Sequence, residues 1–178
     1  MMSLNFAFML LVAVFGAIGL SRGFRKELVV TVSLLIAQML SVVLRMFIPQ
    51  VMSLDAASMD YFMLRAGILL VFALVGYQSV RSSLLQSHLN RSGPQDALIG
   101  GVVGAINGYL LIGSLWFFLH EASYPFAAYI AAPVAGTAMG DAALWWINYL
   151  PPAVALFQHF AIYIVVVLAV FALIAALL

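Results

Sequence analysis

The sequence predicts an all-α, polytopic transmembrane helical bundle, with about five spanning helices and short interfacial helices. Of its 178 residues, 66% are hydrophobic and 7% are charged, whereas soluble domains carry about 25% charged residues. The apolar residues form continuous runs, and a spanning helix needs about 20 such residues. A transmembrane strand would instead alternate apolar and polar residues. We therefore expect an integral membrane protein built from helices.

Five segments are predicted to span the membrane, at about residues 3–20, 28–48, 62–81, 97–119 and 151–177. No cation precedes the first apolar run, so we interpret it as a retained helix and not as a signal peptide. Asp96 is expected to cap the fourth helix. An interfacial helix is expected to continue the third span through residues 80–89, where apolar residues recur near helical spacing.

The spans divide the chain into three parts. Residues 1–120 form a four-helix core, residues 121–150 form an apolar extracytoplasmic connection, and residues 151–178 form an additional C-terminal helix. Two short helices are expected in the connection, at about 124–135 and 141–149, lying on the membrane or dipping into it. Asp141 is expected to be the N-cap of the second.

Charged residues predict the orientation of the chain. The segment SRGFRKE at residues 21–27 concentrates Arg22, Arg25, Lys26 and Glu27. The third connection is also basic, whereas the second and fourth contain acids and no cation. Because cations stay on the cytoplasmic side, the N-terminus is predicted outside and the C-terminus in the cytoplasm. Arg45 and Arg65 lie near outer helix ends, where they either reach the headgroups or pair with Asp55, Asp60 or a buried polar group.

Glycines recur at helical spacing in two segments. Gly100, Gly104 and Gly108 share one helix face in GGVVGAING, and a lesser series comprises Gly16, Gly19 and Gly23. Faces without side chains let helices approach closely in lipid. We expect these two segments to contact each other, while self-association or docking onto a partner protein stays open.

Polar residues form a stripe on the second span: Thr31, Gln38, Ser41 and Arg45. Their spacing places them on nearly one face, which should point into the bundle, with Asn107 as a partner. The stripe is either a structural hydrogen-bond network or part of a solute path. The sequence indicates no carboxylate inside a span, which argues against a proton-coupled path.

Composition and motifs exclude several functions. The net charge of +1 lacks the basic footprint of a nucleic-acid-binding protein, and the absence of cysteine excludes thiol chemistry. No HExxH, GxSxG or phosphate-binding loop occurs, so no enzyme, catalytic residue or metal site is predicted. No cofactor is expected. His159, about two turns into the last helix, either bonds to a neighbouring helix or is a candidate ligand for a tetrapyrrole that no other feature supports.

Two segments resemble the CvpA (colicin V production) family of bacterial inner-membrane proteins. They are FGAIGLSRGFRKELV at 15–29 and DALIGGVVGAINGYLLIGSLWFF at 96–118, and the resemblance covers about residues 6–120. It implies a role in holding the helical hairpins together for Arg22, Gly23, Glu27, Asp96, Gly100, Gly104 and Gly108. Two departures are Asn107, where the family usually has arginine, and the strong fifth span.

The resemblance implies a link to bacteriocin export and envelope phenotypes. Our preferred hypothesis is a non-enzymatic scaffold or accessory protein of the bacterial inner membrane, acting in export or envelope processes. Its expected partners are the lipid bilayer and either other membrane subunits or further copies of itself, without nucleic acid. The alternatives are an accessory subunit of a large respiratory or photosynthetic complex, and a small channel or carrier.

Overall fold

The fold is a bundle of helices, as a computed structural model describes it for residues 4–79, 93–154, 157 and 159–177. Every regular element in those residues is helical, which confirms the predicted fold class. In chain order the elements are α1 (Leu4–Arg22), α2 (Phe24–Phe47), α3 (Pro49–Met52), α4 (Met59–Ser79), α5 (Pro94–Glu121), α6 (Ala138–Ile147), a 3₁₀ turn (Pro151–Ala153) and α7 (His159–Leu177).

Four of these helices, α1, α2, α4 and α5, are long and apolar enough to cross a membrane. The segment predicted to be the fifth span begins differently from expectation, because the 3₁₀ turn at Pro151 precedes α7 and helix starts only at His159. The described apolar part of α7 is the shorter helix Ala161–Ala175.

The connection after α5 corrects the helix predicted at 124–135. Ser123 and Tyr124 both adopt φ of 56°, a left-handed conformation that ends a helix, and residues 125–129 form turns. Pro125 and Pro133 also disfavour a continuous helix over 124–135. The second predicted helix is present as α6, shifted a few residues towards the N-terminus.

The N-cap of α6 also differs from the prediction. The cap is Thr137, whose side chain accepts a hydrogen bond from the Gly140 N–H at 3.1 Å. Asp141 lies in the first turn and accepts from the Gly136 N–H at 2.8 Å. A short hydroxyl side chain satisfies the free N–H groups of the first turn as well as a carboxylate does.

Helix α5 occupies the centre of the bundle. It runs antiparallel to α1, because Gly19 lies against Gly100 while Phe8 lies against Gly113. It runs parallel to α2, since Thr31 contacts Asn107 and Gln38 contacts Ser114 further along both helices. Helices α4 and α7 pack against α2. Consecutive spanning helices therefore alternate in direction, as threading through a bilayer requires.

The apolar interior is largest where α2, α4, α5 and α7 meet. Its fully or almost fully buried side chains include Val30, Leu34, Leu69, Phe118 and Ile162. A second cluster joins α1, α5 and α6. The outward faces of α1 and α4 are apolar as well, with exposed residues that include Phe6, Leu10, Val14, Val71 and Leu74. Those faces suit the hydrocarbon of a bilayer.

Candidate functional site

The candidate site begins with the close contact between α1 and α5, here called the glycine seam (Gly16, Gly19, Gly100, Gly104 and Gly108). A Cβ atom at Gly100 would lie 2.6 Å from the carbonyl oxygen of Gly19. One at Gly104 would lie 2.5 Å from the carbonyl oxygen of Phe15. Both obstacles are backbone atoms that cannot rotate away, so these positions require glycine.

The other two seam positions, Gly108 and Gly16, differ in how tightly they are packed. A Cβ at Gly108 would meet the Cβ of Phe15 at 2.7 Å, whereas one at Gly16 would lie 3.4 Å from the Cβ of Ala105, near ordinary contact. The structure thus brings the two predicted glycine series together within one chain. Packing, and not hydrophobicity, drives such association in lipid.

Gly23 has a separate role, because it alone separates α1 from α2. Its φ of +86° is a conformation that other residues rarely adopt. A Cβ there would also collide with the carboxylate of Asp96, whose Cγ would be 3.2 Å away. Asp96 lies in the first turn of α5 and does not cap it: the N-cap is Gly93, without a side-chain bond. The predicted Asp96 cap is therefore wrong.

Glu27 occupies an unexpected position. It is fully buried, at 0% exposure, within the first turn of α2, whereas the sequence assigned it to a cytoplasmic connection. Its Oε1 lies 2.7 Å from Nε of Arg22, and the Arg22 guanidinium lies 4.5 Å from the centre of the Tyr77 ring. The expectation that no span contains a carboxylate is wrong, because the one-residue turn at Gly23 draws Glu27 into the bundle.

Asn107 of α5 joins this buried group. Its Nδ2 donates to the backbone carbonyl of Glu27 at 3.0 Å and to Oε2 of Glu27 at 2.8 Å. Its Oδ1 accepts from the Thr31 hydroxyl at 2.7 Å. Arg22, Glu27, Thr31 and Asn107 form what we call the polar cluster. It links α1, α2 and α5 beside the glycine seam.

The remaining stripe residues separate into two groups. Gln38 is buried and donates to the hydroxyl of Ser114, and Ser41 bonds to the carbonyl of Ala37 in its own helix at 3.0 Å. Arg45 lies at the far end of α2, where its guanidinium lies 4.5 Å from the centre of the Tyr61 ring.

The structure also gives the positions of three other predicted site residues. Arg25 and Lys26 are half-buried in the first turn of α2. His159 is the first residue of α7 and not two turns into it, because the 3₁₀ turn replaces the beginning of the predicted helix. Its side chain, with His88, Arg81, Arg91 and the helix predicted at 80–89, lies outside the described residues.

The polar cluster is suited to holding helices together. Within the described part of the chain, no group of three His, Asp or Glu residues could hold a metal ion. Each polar atom of Asn107 is used by a neighbouring helix. Buried polar groups of this kind fix one arrangement of helices, since any other arrangement leaves them unsatisfied.

Sequence reasoning missed the burial of Glu27 and the ion pair between Arg65 and Glu121. A signal for the first was present: Glu27 precedes Thr31 by four residues, so it extends the polar stripe by one turn. The partner of Arg65 is not Asp55 or Asp60, because antiparallel α4 and α5 place Glu121 beside it. No local pattern shows a pairing across that distance in sequence.

The alternating spanning helices, apolar outward faces and buried interhelical polar contacts define a multi-pass helical membrane protein. The chain belongs to the colicin V production family: the family model described as Colicin V production protein matches residues 4–126. This match confirms the resemblance and spans α1 to α5 with the start of the following connection. No curated protein and no solved structure matches the chain significantly.

Proposed function

We propose that the protein is a non-enzymatic scaffold or accessory component of export or envelope processes in the bacterial inner membrane, with its N-terminus outside and its C-terminus in the cytoplasm. Membership of the colicin V production family supports the cellular setting. The basic segment at 21–27 supports the orientation, because cations resist transfer across the membrane.

The observation that carries the proposal is the use of buried polar side chains for contacts between helices. Asn107 bonds to Thr31 and Glu27, and Gln38 bonds to Ser114. A catalytic site would instead present such groups to a substrate. The outward faces of α1 and α4 remain broad and apolar, as expected of a protein that works by contacting lipid and neighbouring helices.

Site-directed cross-linking in cells tests this proposal. The chain has no cysteine, so single cysteines at Leu10→Cys on α1 and Leu74→Cys on α4 can be attached to a bifunctional reagent without background. We expect one face to give a discrete adduct containing an export or envelope protein, or a second copy of the chain. Leu34→Cys, at a fully buried position, is the control and should give none.

The opposite result is also well defined. If neither exposed face gives a discrete adduct while the protein is expressed and inserted normally, a scaffold role is contradicted. Combining Leu10→Cys with Gly104→Leu tests whether the adduct requires the packing of α1 against α5. An adduct that disappears in this combination depends on the packed bundle and not on α1 alone.

A carrier is a second candidate because of one observation, the full burial of Glu27 within a spanning helix. Buried carboxylates occur in proton-coupled carriers. Proton flux into liposomes containing the purified protein, lost in Glu27→Gln, would favour a carrier; flux equal to that of empty liposomes would reject it. The respiratory or photosynthetic alternative stays a prediction, since the side chain of its candidate ligand, His159, is outside the described residues.

A further inference from the structure

A second polar site lies at the end of the bundle opposite to the polar cluster. The ends of α2, α4 and α5, together with Pro152 and Phe157, enclose a cavity of about 380 Å³. Arg45 is eighteen residues beyond Glu27 on α2, which separates the two sites by about 27 Å along the helix. The cavity is therefore separate from the glycine seam, and a role for the cavity does not depend on the function proposed for the protein.

Cationic side chains dominate the charge of this cavity. Its lining contains Arg45, Arg65 and a single acid, Glu121. Arg65 forms an ion pair with Glu121, so one guanidinium is compensated and the charge of Arg45 is not compensated by any lining residue. Gln38 and Ser41 add polar side chains at the inner end.

Both arginines lie against the ring of Tyr61. The guanidinium carbon of Arg45 lies 4.5 Å from the centre of the buried Tyr61 ring, and that of Arg65 lies 5.0 Å from it. Arg65 also lies 3.8 Å from the centre of the Phe118 ring. Stacking on aromatic faces fixes the planes of the guanidinium groups while leaving their N–H groups available.

One donor of Arg65 lacks an acceptor. Its Nε is buried and has no hydrogen-bond partner among the described residues, and the whole side chain is only 11% exposed. A buried donor without an acceptor is costly. Two cations and one carboxylate leave the cavity lining with a net positive charge, which an oxyanion bound in the cavity would offset.

We propose that this cavity binds an oxyanion, a phosphate or carboxylate group, attached to an apolar chain. Arg45 is the principal ligand, and Arg65 is the second ligand, held by Glu121. Guanidinium groups recognise such oxyanions through paired N–H donors. Val42, Met46, Phe117 and Phe157 line the remaining walls and suit an alkyl chain. A lipid headgroup and a free anion share this chemistry.

Ligand-dependent thermal stability of the full-length protein in a neutral detergent tests the site. The probes are short-chain phosphatidylglycerol, a diacylglycerol of the same chain length that lacks the phosphate, and inorganic phosphate. We expect saturable stabilisation by phosphatidylglycerol and little by the diacylglycerol. Arg45→Gln should weaken the apparent affinity by about tenfold or more, since one charge-assisted pair is lost. Arg45→Lys should retain part of the affinity, because the charge remains.

Lys26→Gln removes one cation far from the cavity and is the matched control. This variant should bind phosphatidylglycerol as tightly as the parent protein does. Arg45 is the preferred test position because Arg65→Gln would also leave Glu121 without its partner. Saturable stabilisation by phosphate alone, lost in Arg45→Gln, supports the oxyanion site and removes the apolar chain from the proposal. Equal responses to the two lipids without a phosphate response, or an Arg45→Gln variant that binds as the parent does, would overturn it.

Discussion

Nε of Arg22 lies 2.7 Å from Oε1 of Glu27 across the one-residue turn between α1 and α2. At this distance the two side chains form an ion pair. The second carboxylate oxygen of Glu27 accepts from Asn107 of α5. One buried acid thus connects three helices at a single level of the bundle.

Removing this acid should destabilise the bundle. Glu27→Ala leaves the guanidinium of Arg22, which is 23% exposed, without its counter-charge, and we expect a loss of about 3 kcal/mol in the free energy of unfolding. Equilibrium unfolding in mixed micelles measures it. The double variant Arg22→Leu with Glu27→Leu is the control and should recover part of the loss. A Glu27→Ala variant as stable as the parent would show that the pair contributes nothing.

The glycine seam predicts a contrast between two identical substitutions. Gly104→Ala places a methyl group 2.5 Å from the Phe15 carbonyl oxygen, and overpacking of this kind costs about 1–3 kcal/mol. Gly67→Ala in α4 adds the same group where no atom lies within 4 Å, so it should be neutral or slightly stabilising, because alanine favours helix. Thermal unfolding of both variants in one detergent measures the difference. Equal effects at the two positions would contradict close packing.

Asn107 should matter more than Thr31. Asn107→Leu removes three hydrogen bonds and leaves a buried carboxylate without its amide donor, which costs about 1–3 kcal/mol. Thr31→Val removes one bond between helices from a half-buried residue, and a loss of about 1 kcal/mol is expected. The same unfolding measurement compares the variants. If Thr31→Val costs more than Asn107→Leu, the polar cluster is not centred on Asn107.

The predicted orientation can be tested by cysteine labelling. In intact cells, a membrane-impermeant maleimide should label Ser58→Cys, between α3 and α4, and spare Lys26→Cys. Lysed cells should label both, and the cysteine-free parent is the blank. Labelling of Lys26→Cys alone in intact cells would show that the orientation is the opposite of the predicted one. Equal protection of both positions would contradict the prediction that successive connections lie on opposite sides of the membrane.

The sequence predicted those features that depend on local composition. Continuous apolar runs predicted the helices, because only regular hydrogen bonding is tolerated in lipid. The spacing of Gly100, Gly104 and Gly108 predicted a smooth helix face, and the structure places that face against α1. Thr31 and Asn107 are both polar and lie in predicted spans, which makes Asn107 a candidate partner of the stripe, and the two side chains are in contact.

The features that the sequence did not predict depend on turns and on contacts between segments that are distant in sequence. Arg25 and Lys26 beside Glu27 predict a cytoplasmic connection over 21–27, whereas Gly23 alone forms the turn. The ion pair of Arg65 with Glu121 arises from the directions of two helices. The apolar run after Pro151 predicts one continuous helix, whereas a 3₁₀ turn at Pro151–Ala153 precedes α7.

The order in which the seam partners are synthesised has a consequence for biogenesis. Gly19 emerges from the ribosome well before Gly100, and several seconds of translation separate them. During that interval the first hairpin would lie in the bilayer with the glycine face of α1 towards lipid. Any other helix that binds this face would have to dissociate before α5 can pack against it. A nascent chain stalled before residue 94 would then be the form most open to capture by insertion factors or by quality-control proteases.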